Sequence, residues 1–598
     1  MAERARTPIA LGLLGAYVNA AAYGFRTHGV TNNAFELALT NWLRDRSLYP
    51  DDPLTHVFAT YPSAFWPAVA FTSRYATTEH VLFVAFLLTK LLFFSALARL
   101  VAPAVPSRAL RACIVVVCAL SPILNQATEL GCSDILNGFQ THTSLAIALL
   151  LWVGVLLTEE RWIGAGLLAG LCVHINVLFV GFSGPGMAAL ALWDRRRHGR
   201  GILVGALVGA LVALPWLLAL RGPAAAPLPP SFVDTLLAQF PDIFTLRTHS
   251  LASLARGFAT IAVGAGAIAL AKHLALPRLA RLELLAASYL LPLALGIAAG
   301  TVLPLPSLVR AQLSRADSFA VLYALVLAQI YGAQLLAHPP AGAMRAASWL
   351  GASALLLPLA GGWFPFALLG LGLVALLDPR RRFDRVTDRI AGSRITLSAG
   401  ALAAAAALTG LLALGRRVTA GLVACVAPVL AALQPRRTPL ALGLASAAAL
   451  VLTLPGPRRL WNPFVPRDAH ELAWREVQDW AKTHTPREAR FMVPPASAGF
   501  RVYSERSSWV DWNDGITIDA LPAYADEWWR RMSALGVPLR PLHHDLKEIA
   551  AAYRAQPWPR LHDLARAEHI DYIIQSCDVP YPVPPVFVNR DFAIYKAL

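Results

Sequence analysis

Apolar stretches long enough to cross a bilayer recur through the first three quarters of this 598-residue chain. In the stretch from Val81 to Leu100 the charged residues are Lys90 and Arg99, and a crossing takes about 20 mostly apolar residues. The chain is 15% charged, whereas soluble domains contain about 25% charged residues. The sequence therefore predicts a polytopic membrane protein, and it excludes both a soluble enzyme and a disordered chain.

The net charge of +16 comes entirely from the membrane part. Residues 456–598 contain 18 basic and 18 acidic residues, which leaves 34 basic and 18 acidic residues in residues 1–455. An excess of Lys and Arg in a membrane protein marks its cytoplasmic loops. The charge is therefore a topology signal, and we expect no nucleic-acid partner.

The alternation of apolar segments with Arg-rich loops predicts the topology. Arg4 and Arg6 keep the N-terminus in the cytoplasm. Charge at both ends of the segment 162–193 requires two short helices that turn near His174. The pattern predicts about fifteen transmembrane helices in a membrane domain at 1–455, a first extracytoplasmic loop at 26–79, and an extracytoplasmic domain at 456–598.

The C-terminal part has the composition of a small soluble domain. It holds 8 of the 16 tryptophans, and its charges balance. Leu472, Val477 and Trp480 follow helical spacing, which predicts an amphipathic helix. Short strand patterns follow at 490–493, 500–503 and 572–575, and a closing hairpin at 585–595. We therefore expect an α/β or α+β domain.

The first outer loop contains an amphipathic segment. Phe35, Leu39, Trp42 and Leu43 recur at i, i+4, i+7 and i+8, which is one face of a helix. Glu36, Thr40 and Arg44 share the opposite face. Such a helix is expected to lie flat on the outer membrane surface with its charged side toward water.

Two adjacent acids follow this helix. Asp51 and Asp52 stand between Pro50 and Pro53, and paired carboxylates on a rigid turn suit a general base or a divalent-cation site, Mg²⁺ or Mn²⁺, facing a phosphate. The alternative is that the two acids only initiate a turn, which is a common use of Asp beside Pro.

A Pro-flanked segment at 303–317 carries two cations on the outer side. Arg310 and Arg315 could bind a phosphate in forked geometry. Alternatively, Arg315 pairs with Asp317 and Arg310 extends to the interface. We predict that the segment is not a regular helix and that it forms one wall of a pocket also lined by the first-loop acids.

Three other features remain open. His174 lies where two short helices meet, and a lone His there is either a ligand contact or a turn residue. Lys90 lies in mid-helix, where ionisable groups are costly and often functional; it could equally line a packed interior beside a carbonyl, so no catalytic role is assigned to it. Cys132 and Cys577 could both be extracytoplasmic, so a disulfide between them is possible.

Together these parts resemble the GT-C superfamily of integral-membrane glycosyltransferases, which use polyprenyl-phosphate-linked sugars. The stretch "NNAFELAL…LYPDDPLTHVFATYPSAFWP" is similar to the first outer loop of uncharacterised bacterial GT-C-like proteins. Three short stretches of the tail resemble the same proteins: W-A-x-x-x-T-P at Trp480–Pro486, S-x-R-S at Ser504–Ser507, and N-x-x-F-x-I-Y at Asn589–Tyr595.

The resemblance implies a bacterial inner-membrane protein with a catalytic carboxylate in the first outer loop. Glu36, Asp51 and Asp52 are the candidates, although superfamily members often place the acid where this chain has Asn32 and Asn33. An outer-face Arg that holds the lipid phosphate would be Arg310 or Arg315. Asn33, Arg44 and His174 complete the candidate substrate-binding residues.

The function implied is transfer of a sugar from a polyprenyl-phosphate donor to an envelope acceptor at the outer face of the membrane. Two alternatives from other classes remain: a non-catalytic GT-C-fold protein that acts in polysaccharide assembly or as a scaffold, and a transporter. No internal repeat is visible, which weakens the transporter interpretation.

Overall fold

The computed structural model describes residues 2–26, 32–219, 227–338, 344–361, 365–369 and 468–598. Three of the predicted transmembrane helices lie outside the described residues, at 396–414, 418–433 and 438–455. The same is true of the predicted cytoplasmic loop around Arg380, of Arg416 and Arg417 between two of those helices, and of the predicted domain boundary at 455. The number of transmembrane helices and the two-domain division therefore stay predictions.

The membrane part is a bundle of helices whose bounds follow the apolar segments closely. Its first half contains α1 (Ala2–Tyr23), α5 (Thr78–Val101), α6 (Arg108–Leu120), α7 (His142–Thr158), α8 (Trp162–Val173) and α9 (Val177–Ala219). Short helices of the first outer loop lie between α1 and α5: α2 (Asn32–Arg44), α3 (Leu54–Thr60) and α4 (Phe65–Thr72). The second half contains Leu251–His273, Ala280–Ser288, Leu290–Ile297, Asp317–Ala337 and Met344–Leu356.

Five helical stretches among the described residues are long and apolar enough to cross a membrane. The helix Asp317–Ala337 is the most central of them, because it is buried along nearly its whole length. The shorter helices α7 and α8 are also apolar. A mostly helical membrane protein, as predicted, is what the chain forms.

The out-and-back pair predicted at 162–193 is present. The helix α8 ends at Val173 and α9 begins at Val177, so the turn lies at residues 174–176. A second break follows at His198, where the backbone leaves the helical region (φ −126°, ψ 19°) inside α9. The basic cluster at Arg195–Arg197 directly precedes this break.

The segment 298–316 is irregular, as its prolines predict. A π turn at Ala298–Val302 is followed by a short helix at Pro306–Arg310 and a 3₁₀ turn at Leu313–Ala316. Between the last two, Gln312 adopts a left-handed conformation (φ 50°). The result is a wall of short pieces at the end of the long buried helix Asp317–Ala337.

The tail folds around a five-stranded mixed sheet of order β2-β1-β3-β5-β4. Its strands are β1 (Arg490–Met492), β2 (Ser507–Ser508), β3 (Tyr572–Ser576), β4 (Phe587–Val588) and β5 (Phe592–Lys596). The strand β1 pairs in parallel with β2 and β3, whereas β5 pairs antiparallel with β3 and β4. The helices of the tail are Ala469–His484, Phe500–Ser504, Tyr524–Ala534, Leu546–Arg554 and Trp558–Ala567.

One strand prediction in the tail was wrong. Residues 500–503 form the short helix Phe500–Ser504, which is bounded by Gly499 (φ 80°) and Glu505 (φ 50°). Two left-handed residues close together end the extended conformation on both sides. This turn directs Arg501 into the interior, where it is 3% exposed.

The tail packs onto the first outer loop. Asn41 Nδ2 of α2 donates to the Val502 carbonyl at 2.8 Å, and Tyr49 Oη donates to the Arg501 carbonyl at 2.8 Å. As a result Glu36 and Thr40, predicted to face water, are both buried. The prediction of a helix lying flat on the membrane surface is corrected: α2 lies between the membrane bundle and the tail.

Candidate functional site

A cavity of about 640 Å³ lies where four parts of the chain meet: the first loop, the second outer loop (residues 121–141, between α6 and α7), the 303–317 segment and the tail. It collects polar side chains from each of these four parts of the chain. They include Glu36 from α2, Asp134 and Asn137 from the second outer loop, Arg310 and Arg315 from the irregular segment, and Asn513 and Asp519 from the tail. An apolar flank is supplied by Leu236, Phe240 and Phe244.

Glu36 is the candidate acid of the first loop that reaches this cavity. The residue is 7% exposed, and its buried Oε2 atom has no hydrogen-bond partner among the residues that the structure describes. Burial raises the pKa of the Glu36 carboxyl to about 8. Such a group changes its charge close to neutral pH, which is the range in which general bases operate.

Arg310 and Arg315 both line the cavity, so the predicted wall at 303–317 is confirmed in position. Arg310 Nε donates to the Asp519 carbonyl at 3.0 Å. Arg315 Nη1 donates to Gln312 Oε1 at 2.9 Å, and Gln312 Nε2 donates in turn to Asp519 Oδ2 at 3.0 Å. The amide of Gln312 thus links an arginine of the bundle to a carboxylate of the tail.

The alternative pairing of Arg315 with Asp317 does not occur. Asp317 instead accepts hydrogen bonds from Thr128 Oγ1 at 2.8 Å, Leu130 N at 3.1 Å and Gly131 N at 2.7 Å. These bonds hold the second outer loop against the start of the long buried helix. Arg315 is left directed toward the cavity, with its guanidinium carbon 5.3 Å from the ring centroid of Phe179.

Gln312 is held in a strained conformation at the cavity wall. Its φ of 50° is uncommon for a residue with a side chain, and such outliers persist where the surroundings impose them. Here both ends of the side-chain amide are occupied, by Arg315 and by Asp519. Gln312 and Asp519 thus hold Arg310 and Arg315 at fixed positions on the cavity wall.

His142 contributes a defined hydrogen-bond donor. Trp66 Nε1 lies 3.3 Å from His142 Nδ1, and an indole N–H can only donate. Nδ1 must therefore accept, so the neutral ring carries its proton on Nε2. The residue opens α7, whose start is set by Thr141 Oγ1 accepting from Ser144 N.

Tyr61 lies among these groups. Its ring centroid is 5.1 Å from that of Phe35 and 5.8 Å from that of His142. Its phenol is close enough to interact electrostatically with Glu36, Asp519 and Arg315. Asp519, the tail acid of this group, is buried, and burial raises the pKa of its carboxyl to about 6.

Asp51 and Asp52 do not reach the cavity, which corrects the prediction of a shared pocket. Arg501 Nε donates to Asp52 Oδ2 at 2.6 Å, and Arg501 Nη2 lies 3.3 Å from Asp52 Oδ1. Asp52 also accepts from the backbone of Leu54 and Ser508. Its carboxylate is fully engaged in holding the tail, while Asp51 is exposed on the turn with φ 60°.

The metal site suggested for these two acids does not fit them. Both oxygens of Asp52 accept from a guanidinium, so they have no free lone pair directed at a cation together with Asp51. Within the described residues no group of three His, Cys, Asp or Glu side chains has the arrangement of a metal site.

The other candidate residues lie elsewhere. The His174 ring is bonded to the Val212 carbonyl at 2.7 Å and packs against Trp216, so it fastens the α8–α9 turn to the second part of α9. Arg44 is exposed at the end of α2. Asn33 belongs to α2, and its side chain lies outside the described part of the structure. Cys132 and Cys577 are both free thiols.

Sequence reasoning missed several cavity residues. Asp134, Asn137 and His142 belong to a polar stretch between two apolar helices, and topology already places that stretch on the side of the first loop. This alternation was the available signal for them. Asp519 had no comparable signal, since nothing in the tail sequence indicates which turn faces the membrane.

Comparisons with known proteins add two findings. A family described as "Domain of unknown function (DUF6798)" matches residues 472–535, within the tail, and no curated protein matches the sequence. The chain is similar to the crystal structure of ArnT from Cupriavidus metallidurans bound to undecaprenyl phosphate. That likeness has a TM-score of 0.40 and 13% identity, and it covers 99% of this chain and 97% of ArnT.

Proposed function

We propose that the cavity is the transfer site of a membrane glycosyltransferase that takes its sugar from a polyprenyl-phosphate-linked donor. One observation carries the proposal. Glu36, a buried carboxyl with one oxygen that has no hydrogen-bond partner among the described residues, shares the cavity with two arginines, Arg310 and Arg315. This pairing of a base with an anion-binding wall suits displacement of a phosphate by a hydroxyl.

In the proposed reaction Glu36 acts as the general base. The acceptor hydroxyl gives its proton to the Glu36 carboxylate as its oxygen forms a bond to the anomeric carbon of the donor sugar. The bond from that carbon to the phosphate oxygen breaks, and the phosphate leaves with the electron pair. Attack opposite to the leaving group inverts the configuration at the anomeric carbon.

The leaving phosphate is stabilised by the arginine wall. A guanidinium offers several donors in a fixed plane that matches phosphate oxygens. Among the described residues Arg310 donates through its Nε alone, to the Asp519 carbonyl. His142 adds a neutral N–H donor at Nε2 on the same cavity. Donors already in place cost little reorganisation when charge develops on the leaving oxygen.

The tail supplies a polar face beside the arginines. Asn513, Thr517 and Asp519 line this side of the cavity, and short polar side chains of this kind suit the hydroxyl groups of a sugar. The apolar flank formed by Leu236, Phe240 and Phe244 suits the hydrocarbon of a polyprenyl chain. The transfer site is therefore built from the membrane part and the tail together.

The test compares Glu36→Gln with Asp51→Asn in full-length protein reconstituted in lipid nanodiscs. The assay follows turnover of a radiolabelled polyprenyl-phosphate sugar with an extract of bacterial membranes as the source of acceptor. Glu36→Gln should lower turnover by about 10²-fold or more, since that is the range for loss of a general base. Asp51→Asn, an exposed change on the same loop, should leave turnover unchanged.

Two outcomes would contradict the proposal. Undiminished turnover in Glu36→Gln would remove Glu36 as the base. Binding of polyprenyl phosphate without any turnover in the wild-type protein would instead support the non-catalytic alternative.

Turnover should also rise as pH increases through about 8, because the base must lose its proton to act and burial raises the pKa of Glu36.

A further inference from the structure

Lys90 is a buried cation beneath the second outer loop. It lies in the middle of the apolar helix α5 and is 2% exposed. Its Nζ donates to the Asn137 carbonyl at 2.8 Å and lies 5.0 Å from the ring centroid of Phe86. A buried charge is costly unless another charge or dipole compensates it, so the position calls for a counter-charge nearby.

The nearest anionic group on that loop is Asp134. Asp134 and Asn137 both line the cavity, and within the described residues no donor is hydrogen-bonded to the Asp134 carboxylate. This carboxylate interacts electrostatically with two cations, Arg315 and Lys90, although burial raises its pKa. Asp134 therefore interacts with one cation of the cavity wall, Arg315, and with one cation outside the lining, Lys90.

Three carboxyls line the cavity, Glu36, Asp134 and Asp519, together with two arginines, Arg310 and Arg315. Lys90 lies outside the lining and is the second cation that interacts with Asp134. In the described structure Arg315 is bonded to the neutral amide of Gln312 at 2.9 Å and makes no ion pair with Asp134.

We propose that Lys90 is a positioning residue that balances the charge of Asp134, so that Arg315 stays free to bind the anionic group of the substrate. Without Lys90, Asp134 would have Arg315 as its one nearby cation. Because opposite charges attract strongly in surroundings of low dielectric, Arg315 would turn toward Asp134 and away from the ligand. This inference rests on the proposed function, since it takes a lipid phosphate as the ligand of Arg315.

The test is a double-mutant cycle with a defined probe. Undecaprenyl phosphate is titrated into purified full-length protein in detergent, and the dissociation constant is measured for the wild type, Lys90→Met, Asp134→Asn and the double variant. Lys90→Met should weaken binding about tenfold, and adding Asp134→Asn should restore it to within about twofold of the wild type, as expected for two coupled neighbours. Lys90→Arg, which keeps the charge, should bind like the wild type.

A second cycle does not depend on whether Lys90→Met folds. Asp134→Asn alone should tighten binding, because it removes the anion that competes for Arg315. The same change in an Arg315→Ala background should have no effect on binding, because Asp134 acts through Arg315. Melting temperatures of all variants show that folded protein is being compared.

Three results would overturn the inference. If Asp134→Asn weakens binding as much as Arg315→Ala does, Asp134 contacts the ligand itself. If the double variant binds as weakly as Lys90→Met, Lys90 acts through the Asn137 carbonyl and packing alone. If the wild type does not bind undecaprenyl phosphate, the proposed function fails and the inference fails with it, a result distinct from the other two.

Discussion

Asp52 and Arg501 are 449 residues apart in the sequence, and their side chains form a buried ion pair with a 2.6 Å bond between Arg501 Nε and Asp52 Oδ2. The two side chains are 4% exposed or less. Arg501 also binds Asp514 through Nη1 at 2.8 Å and Nη2 at 3.0 Å, and Asp511 lies 3.5 Å away. One guanidinium thus joins a carboxylate of the first outer loop to two carboxylates of the tail.

The first prediction concerns the removal of this guanidinium. Arg501→Met would leave three buried carboxyls without their cation, and breaking a buried pair from one side costs about 3–5 kcal/mol. We expect a loss of that size in the free energy of unfolding, measured by denaturation of the purified protein in detergent. Because uncompensated carboxyls bind protons more tightly, the loss should shrink as pH falls.

Arg475→Met is the matched control for this prediction. Arg475 forms an exposed ion pair with Asp479 on the same domain, and exposed pairs contribute about 1 kcal/mol or less. Equal losses in the two variants would contradict a special role for the buried cluster. A pH-independent loss in Arg501→Met would contradict the charge argument in particular.

The second prediction concerns stability against pH at Glu36. Burial raises the pKa of Glu36 from 4.5 to about 8, so the folded state binds this proton more tightly than the unfolded state does. The contribution of Glu36 to stability therefore falls as pH rises from the unfolded pKa to the folded pKa, and it is constant above about 8. Glu36→Gln mimics the protonated acid and should remove this dependence.

The measurement is the melting temperature of the wild type and of Glu36→Gln across this range. The variant should match the wild type near pH 5 and exceed it by several degrees near pH 9, because only the wild type must bury a charge at high pH. A difference between the two proteins that stays constant with pH would show that Glu36 does not titrate in this way.

The sequence was enough to predict the described helices and part of the candidate site, namely Glu36, Arg310 and Arg315. Spans such as α5 must bury apolar length in a bilayer, so their bounds follow from hydropathy alone. The prolines at 304 and 306 and the outward position of Arg310 likewise sufficed to predict an irregular wall. Hydropathy, prolines and charges are properties of short stretches of sequence, so these features could be predicted from the sequence alone.

The remaining part of the site depends on contacts that are distant in the sequence. The pattern Glu36–Thr40–Arg44 predicts a solvated face, but the tail covers Glu36 and Thr40 and leaves Arg44 exposed. The position of Asp52 in the first loop predicts a candidate base, but its carboxylate forms an ion pair with Arg501. Both errors come from one unknown, the place where the tail docks, which no periodicity encodes.

The third prediction concerns topology. The buried pair of Asp52 and Arg501 requires the tail to lie on the same side of the membrane as the first outer loop, whatever the number of helices between them. From Arg4 and Arg6 we predict a cytoplasmic N-terminus, and α1 would then bring the first loop outside. A reporter that works only outside the cytoplasm, fused after Leu598, should be active.

A cysteine-labelling experiment supplies the control for the fusion. A membrane-impermeant maleimide applied to intact cells should label Arg44→Cys, since Arg44 is exposed on the first loop. Activity of a purely cytoplasmic reporter after Leu598 would contradict the arrangement. Labelling of Arg44→Cys only in lysed cells would contradict it independently.

The last prediction concerns Arg310 and the lipid phosphate. Arg310 lines the cavity and is held by one bond, from its Nε to the Asp519 carbonyl at 3.0 Å. Arg310→Ala should weaken binding of undecaprenyl phosphate by about 1.5–3 kcal/mol, which is the range for hydrogen bonds to charged groups. Arg310→Lys should recover part of this loss, because an ammonium keeps the charge but lacks the planar fork of donors.

Arg247→Ala is the control that separates this contact from general attraction between the protein and an anionic lipid. Arg247 is also a cation beside the irregular segment, since its Nε donates to the Thr301 carbonyl at 2.9 Å, but it is exposed and lies outside the cavity. The binding constant for undecaprenyl phosphate is measured for both variants at two salt concentrations, which distinguishes a specific contact from general electrostatic attraction. A specific contact requires a large loss in Arg310→Ala and a small, salt-sensitive loss in Arg247→Ala. Equal losses would mean that the lipid responds only to the positive charge of this surface.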